Sequence, residues 1–312
     1  MVRSHWSTCT LLPLIVHALV LSRNILQRCR FPPKQPLMRR LASGVVAALL
    51  LAAPVIAEAQ TMRLGQVLVF HIPEIRAGAD TKAFEAHLTG HVLPAWNKAA
   101  PGMTATLVRK DRGNRQGQYM IVWTTDTIAR HKAYASASGD FPFAADLVAK
   151  AGDFRPMIAP YVNGPGRYVQ YELVAPGAAG TPLPEVDVLG LHYARVRPDR
   201  REAFDRFVGE KLHPAVGNLR PDLRLLYYRP VRGEEAGAYV TVFALTQASR
   251  DKYWPKGADS DVLKATFTPA ITGLTTELRT YLVEGAYATG NLAAAVFESK
   301  EWADWTFIPA SR

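Results

Sequence analysis

His87 and His91 stand four residues apart in a stretch of helical character, a spacing that places two imidazoles on one helix face and suits a divalent metal. His71, upstream on an apolar run, can complete a three-histidine set acting in metal ligation or proton transfer. No HExxH accompanies the pair, and packing or a neutral-ligand pocket accounts for HxxxH as well. His192 occupies a matching place on a second apolar run, 12 residues before Phe204 as His71 is 13 before Phe84. The structural alternative for His71 and His192 is a core-edge imidazole bonded to a backbone carbonyl. Arg109 with Tyr119, and Arg229 with Tyr239, form two further pairs. An arginine beside a phenol can hold an anion, and the same pair also packs as ordinary cross-strand neighbours.

Other chemistries find no support. The loops 111–117 and 231–237 carry no GxxxxGK[ST] phosphate cradle, Gly164-Pro-Gly166 lacks a third glycine, and no GxSxG elbow appears. Both cysteines, Cys9 and Cys29, fall in the first 59 residues, so the remainder holds no disulfide, thiolate nucleophile or Cys-ligated metal.

These residues are positioned by a repeat. Shifted by 120, Lys82–Thr124 falls on Glu202–Ala244 without a gap, with 11 identities in 43 positions, where average composition gives roughly three. Ala83-Phe84, Pro94-Ala95, Pro101, Arg109, Arg112, Gly113, Gly117, Tyr119 and Val122 recur 120 residues on. The counterparts of His87 and His91 are Phe207 and Lys211, so the first half reads as the working one.

Each half reads β-α-β-β-α-β. The first has a strand at 66–72, a helix from Asp80 to about Trp96, a hairpin of 104–110 and 118–125, helical stretches 127–135 and 143–151, and a strand at 167–174. In the second, Asp199 with Glu202 forms a capping-box-like start to a helix over 200–216, and 278–284 closes the sheet. Matching Tyr171–Val174 to Tyr281–Glu284 at a shift of 110 gives the first half about ten extra residues, around 136–142 or 155–164. The expected division is 65–175 for the first repeat, 176–185 for a Gly/Ala/Pro linker, 186–285 for the second repeat, and 286–312 for a tail packing on the body.

Met38-Arg39-Arg40, the apolar run 41–56 and Ala57-Glu58-Ala59 make a signal peptide over 38–59, with cleavage after Ala59 and a periplasmic or secreted product. Residues 1–37 read as an unstructured leader or a stretch upstream of the true start at Met38. Taking the leader's seven bases from 37 and its one acid from 27 leaves 30 against 26, a net charge of +4 in place of +10. That charge calls for neither nucleic acid nor an anionic membrane, and neither leader run reaches the ~20 apolar residues of a stable span.

On element order, the repeat and the landmarks Phe84…Pro94 and Phe204…Pro214, the chain resembles the dimeric α+β-barrel superfamily, with its NIPSNAP-like, EthD-like and antibiotic-biosynthesis-monooxygenase-like groups. The resemblance implies an α+β fold of two tandem ferredoxin-like repeats packed sheet to sheet within one chain, as a monomeric pseudo-dimer or a further homodimer. It also implies ligand pockets between sheet and helices, and chemistries ranging from cofactor-free oxygenation to haem binding or none. Fold does not settle function. No cofactor is evident from the residues, and metal or haem stays open. The expectation is a small-molecule-binding protein. Its alternatives are a His-assisted pocket enzyme, oxygenase- or isomerase-like, acting on an apolar or aromatic molecule through His71, His87 and His91, and a non-catalytic interaction module.

Overall fold

The computed structural model describes residues 62, 64–113, 116–136, 143–174, 186–217, 219–220, 222–233, 238–255, 261–283 and 302–308. The stretches expected as leader (1–37), signal peptide (38–59) and linker (176–185), and the hairpin tips around 114 and 235, lie outside the described residues. Among those described, no helix is long and apolar enough to cross a membrane.

Strands β1 (Val67–Ile72), β2 (Met103–Gly113), β3 (Tyr119–Thr125) and β4 (Arg167–Leu173) belong to the first half. Strands β5 (Val188–Arg195), β6 (Leu223–Gly233), β7 (Ala238–Leu245) and β8 (Trp302–Phe307) belong to the second. All eight close into an antiparallel barrel in the order β1-β3-β2-β8-β5-β7-β6-β4. The fold is a dimeric α+β barrel built within one chain.

Strand faces alternate with period 2, and both faces are buried. Leu68, Phe70, Val108, Val122, Tyr171, Leu191, Tyr228, Val242 and Trp305 fill the barrel interior. The outward faces carry two helix layers, one centred on Trp96, Trp123 and Phe154, the other on Phe204, Phe243 and Phe267. Central strands therefore read as unbroken apolar runs: all seven residues of β3 and all eight of β7 are buried.

The first helix of each half contains the same interruption. Helix α1 (Thr81–His87) passes through a π-helical turn, Leu88–Val92, into α2 (Leu93–Ala99). Helix α6 (Arg201–Phe207) passes through Val208–Leu212 into α7 (His213–Val216). The wide turns sit just ahead of the repeated Pro94 and Pro214. Proline has no N–H to donate and its ring crowds the carbonyl four residues back; widening the turn, with Leu93 N–H bonded to Leu88 O and His213 N–H to Val208 O, relieves both.

Several expectations are corrected. Strands β2 and β6 each run 11 residues, past the predicted hairpin ends, because their far portions cross to the other half. There β2 pairs with β8 and β6 with β4, and each seam shifts register at an equivalent point, beside Asp111 and Val231. The repeated Arg112-Gly113 and Arg232-Gly233 lie just beyond these bulges. Gly233 needs its glycine: φ is +112° and a Cβ would lie 2.3 Å from Tyr168 O.

The fourth strand of the second half is β8, not 278–284. Residues Thr275–Tyr281 form helix α10, and Leu282 makes only an isolated bridge to Val196. In β1–β4 His71 pairs with Tyr168, and in β5–β8 His192 pairs with Trp302. These partners are 97 (168 − 71) and 110 (302 − 192) residues apart, so the longer half is the second. The expected capping box is also absent: Arg200 is the N-cap of α6 and makes no side-chain cap, while Asp199 pairs with Arg197 and Arg200.

Candidate functional site

The residues that stand out lie in one row on the outer face of the second half. His192 on β5 pairs in register with Thr241 on β7, and Thr241 pairs with Tyr227 on β6. Because Leu189 and Leu191 point into the barrel, Val188 and His192 point to the helices. The equivalent row of the first half is His71, Ile121 and Leu107. The histidine recurs, but its two neighbours carry hydroxyls in one half only.

The row borders a small cavity of about 30 Å³. At 10–15 Å³ each, that is room for about two or three waters. Its apolar walls are Phe204 and Leu212 beneath the sheet-facing helix, Leu278 and Leu282 at helix α10, and Tyr193 and Ala194 at the end of β5. Tyr239, two residues from Thr241 on the same face, completes the lining.

Burial sets the protonation states. His192 is fully desolvated, which drops its imidazole to about 3, so the ring is neutral at physiological pH. Burial likewise raises the Tyr227 phenol, which keeps its proton. His192 Nδ1 and the Tyr227 hydroxyl are buried without a hydrogen-bond partner among the described residues. Each such vacancy costs about 1–3 kcal/mol, a cost that a ligand or water with polar atoms removes.

The repeated Arg–Tyr pairs have a structural partner. Tyr239 donates to Asp205 Oδ1 at 2.7 Å and Arg229 donates to Asp205 Oδ2 at 2.9 Å, with a second bond to Glu172 Oε2 at 3.0 Å. In the first half Tyr119 and Arg109 both donate to Glu85 Oε1, at 2.6 and 3.3 Å. Three repeated residue types thus form one fastening between hairpin and first helix, which occupies the groups otherwise free for an anion. Asp205→Ala leaves the Tyr239 hydroxyl unpaired, and urea denaturation is expected to show a loss of about 1–3 kcal/mol. The cost is expected to be clearly smaller in a Tyr239→Phe background.

The first-half histidines do not converge. His71 Nε2 is 2.7 Å from Pro165 O, and its ring is stacked on Tyr168 at 4.1 Å with Phe154 edge-on at 5.2 Å. Desolvation lowers it to about 3, against the opposing pull of the Pro165 bond. This is the carbonyl-bonded core imidazole. His87 is half-buried against Tyr161 and His91 is exposed, with ring centroids 6.0 Å apart. Among the described residues no three His, Cys, Asp or Glu gather in a metal-holding group. His71 Nε2 is engaged by Pro165 O, and the space beside His192, as it stands, is that of a few waters.

Sequence reasoning missed Tyr227, Thr241, Leu212, Leu278 and Leu282 as site residues. The mismatches Leu107/Tyr227 and Ile121/Thr241 were visible in the repeat, but only strand register puts both beside His192.

No protein-family model matches the chain, and no curated protein matches it in sequence. Solved structures of similar shape include a candidate monooxygenase from Fusobacterium nucleatum (9% identity, TM-score 0.45), covering 80% of this chain and 100% of that one. An anthrone oxidase-like protein matches at 12% identity and TM-score 0.42, over 79% and 93% of the two chains. A dye-decolorizing protein from V. cholerae matches at 10% and 0.41, over 80% and 95%.

Proposed function

We propose that the protein is an exported small-molecule-binding α+β barrel whose ligand site is the second-half cavity. One observation carries this reading: the row His192–Thr241–Tyr227 places polar atoms, two of them unpaired, against an apolar hollow, where the other half has His71, Ile121 and Leu107 in the corresponding row. A few convergent polar groups on apolar walls are what small-ligand sites use for orientation. A ligand larger than two or three waters enters as Leu278 or Leu282 gives way.

The site supports binding more directly than catalysis. An imidazole held at about 3 accepts a proton poorly near neutrality and acts there as a neutral hydrogen-bond group. An oxygenase- or isomerase-like reaction on an apolar or aromatic molecule would need its base activated on ligand entry. The closed seams β4–β6 and β2–β8 complete the barrel within one chain, which supports a monomeric pseudo-dimer. Export rests on the 38–59 signal and cleavage after Ala59.

Thermal denaturation against a panel of small aromatic and aliphatic molecules tests the reading. Binders are expected to raise Tm in a concentration-dependent way, with NMR shifts confined to the second-half layer. Shifts centred on the first-half layer would refute it.

A further inference from the structure

One charged side chain at the rim of this cavity has no structural employment. Arg201 opens helix α6, one turn ahead of Phe204, which lines the cavity, and of Asp205, which holds the Tyr239 hydroxyl. Positions i, i+3 and i+4 share a helix face, and the Arg201 charge is felt at the Tyr239 phenol, which lines the cavity. Asp205 does not neutralise it, since its two oxygens are taken by Tyr239 and Arg229. Arg201 makes no hydrogen bond or ion pair among the described residues, and its Nε is shielded from solvent without a partner.

Helix stability does not explain the residue. A cation in the first turn opposes the helix dipole, and the corresponding residue of the first half is Thr81, whose hydroxyl serves Tyr119. The arginine occurs only in the half that has the polar row. A local choice made against local preference marks a functional position.

We infer that the ligand of this cavity is a small carboxylate, with its apolar body among Phe204, Leu212, Leu278 and Leu282 and its anionic head on Arg201. The inference rests on the pocket reading above and adds the chemical class. Arginine suits the role because its planar fork matches a carboxylate, while the neutral row needs only to meet the body's polar edge.

The test is calorimetric titration of the purified protein with benzoate, phenylacetate and octanoate, each beside its neutral primary amide. At least one acid is expected to bind about tenfold or more tightly than its amide, as a charge-assisted pair provides. Arg201→Gln is expected to abolish that preference and leave the amide's affinity unchanged, Arg201→Lys to keep part of it, and Arg206→Gln, on the exposed face of the same helix, to change neither. Equal binding of acid and amide, or an acid preference surviving in Arg201→Gln, overturns the carboxylate and leaves the pocket standing. Binding of neither series overturns the pocket and the carboxylate together.

Discussion

A chain ending at residue 300 is expected to lose cooperative folding. The C-terminal strand β8 is hydrogen-bonded on both sides, to β2 and to β5, and without it the barrel opens along two ladders at once. Trp305 goes with it. Its ring is 3% exposed in the barrel interior, packed with Leu189, Leu191 and Val108. Replacing such a tryptophan by alanine costs about 3–5 kcal/mol, already a large share of the ~5–15 kcal/mol that holds a typical domain together. Trp305→Ala is therefore expected to fold with a much lower urea midpoint. The truncated chain is expected to show no sharp thermal transition and to bind dyes that report exposed apolar surface. A truncated chain that still melts cooperatively would mean the second half draws its fourth strand from elsewhere, with 278–284 the obvious source.

The second large effect is acid sensitivity above the range where carboxylates titrate. His71 and His192 are buried and neutral, each held at about 3 by desolvation, against ~6.5 in the unfolded chain. The sign follows from proton counts. Between the two values the unfolded state binds protons that the native state refuses, so stability is complete above about pH 6.5 and falls as pH drops toward 3. Between pH 7 and 5 each histidine is expected to remove about 2 kcal/mol, and the pair about 4. Desolvation lowers His131 and His213 as well, in the same direction. Urea denaturation at the two pH values measures the loss, and His192→Leu is expected to reduce it by about half of the pair's share. Equal stability at pH 7 and 5 would mean that these imidazoles are solvated or charged in the native state.

Much of the architecture was legible in the chain because a repeat constrains more than any motif. The gapless match of Lys82–Thr124 to Glu202–Ala244 carried the βαββ order, and the recurring Phe84/Phe204 and Tyr119/Tyr239 mark the same packing in both halves: each phenylalanine sits edge-on to its tyrosine, at 5.2 and 4.8 Å. The last strand of the second half escaped for a physical reason. Leu278 and Leu282 are four apart and Tyr281 lies between them, a pattern that a short buried strand and the end of a helix satisfy equally. Trp302–Phe307, separated from the repeat, read as a tail. Long-range pairing decided between them, and a local pattern carries no information on that.

The site was half legible. The repetition of His71 and His192 was plain, yet it favoured the first half, where His87 and His91 add imidazoles. The deciding difference was the surroundings of each ring. Tyr168 and Phe154 cover His71, whereas Thr241 and Tyr227 flank His192. Which side chains stand beside one another across three strands depends on register, and a register slip of one residue would have turned Thr241 into the barrel.

The central claim is that the polar row is kept for a ligand and not for the fold. Stripping the row of its hydroxyls at nearly constant shape, with Tyr227→Phe and Thr241→Val together, tests it most directly. Removing a buried hydroxyl that lacks a partner is neutral or stabilising, so the double variant is expected to melt at or above the wild-type temperature. It is also expected to lose the stabilisation that small molecules confer on the parent protein. A variant that is markedly less stable, or one that still responds fully to those molecules, would contradict the claim and make the row part of the core.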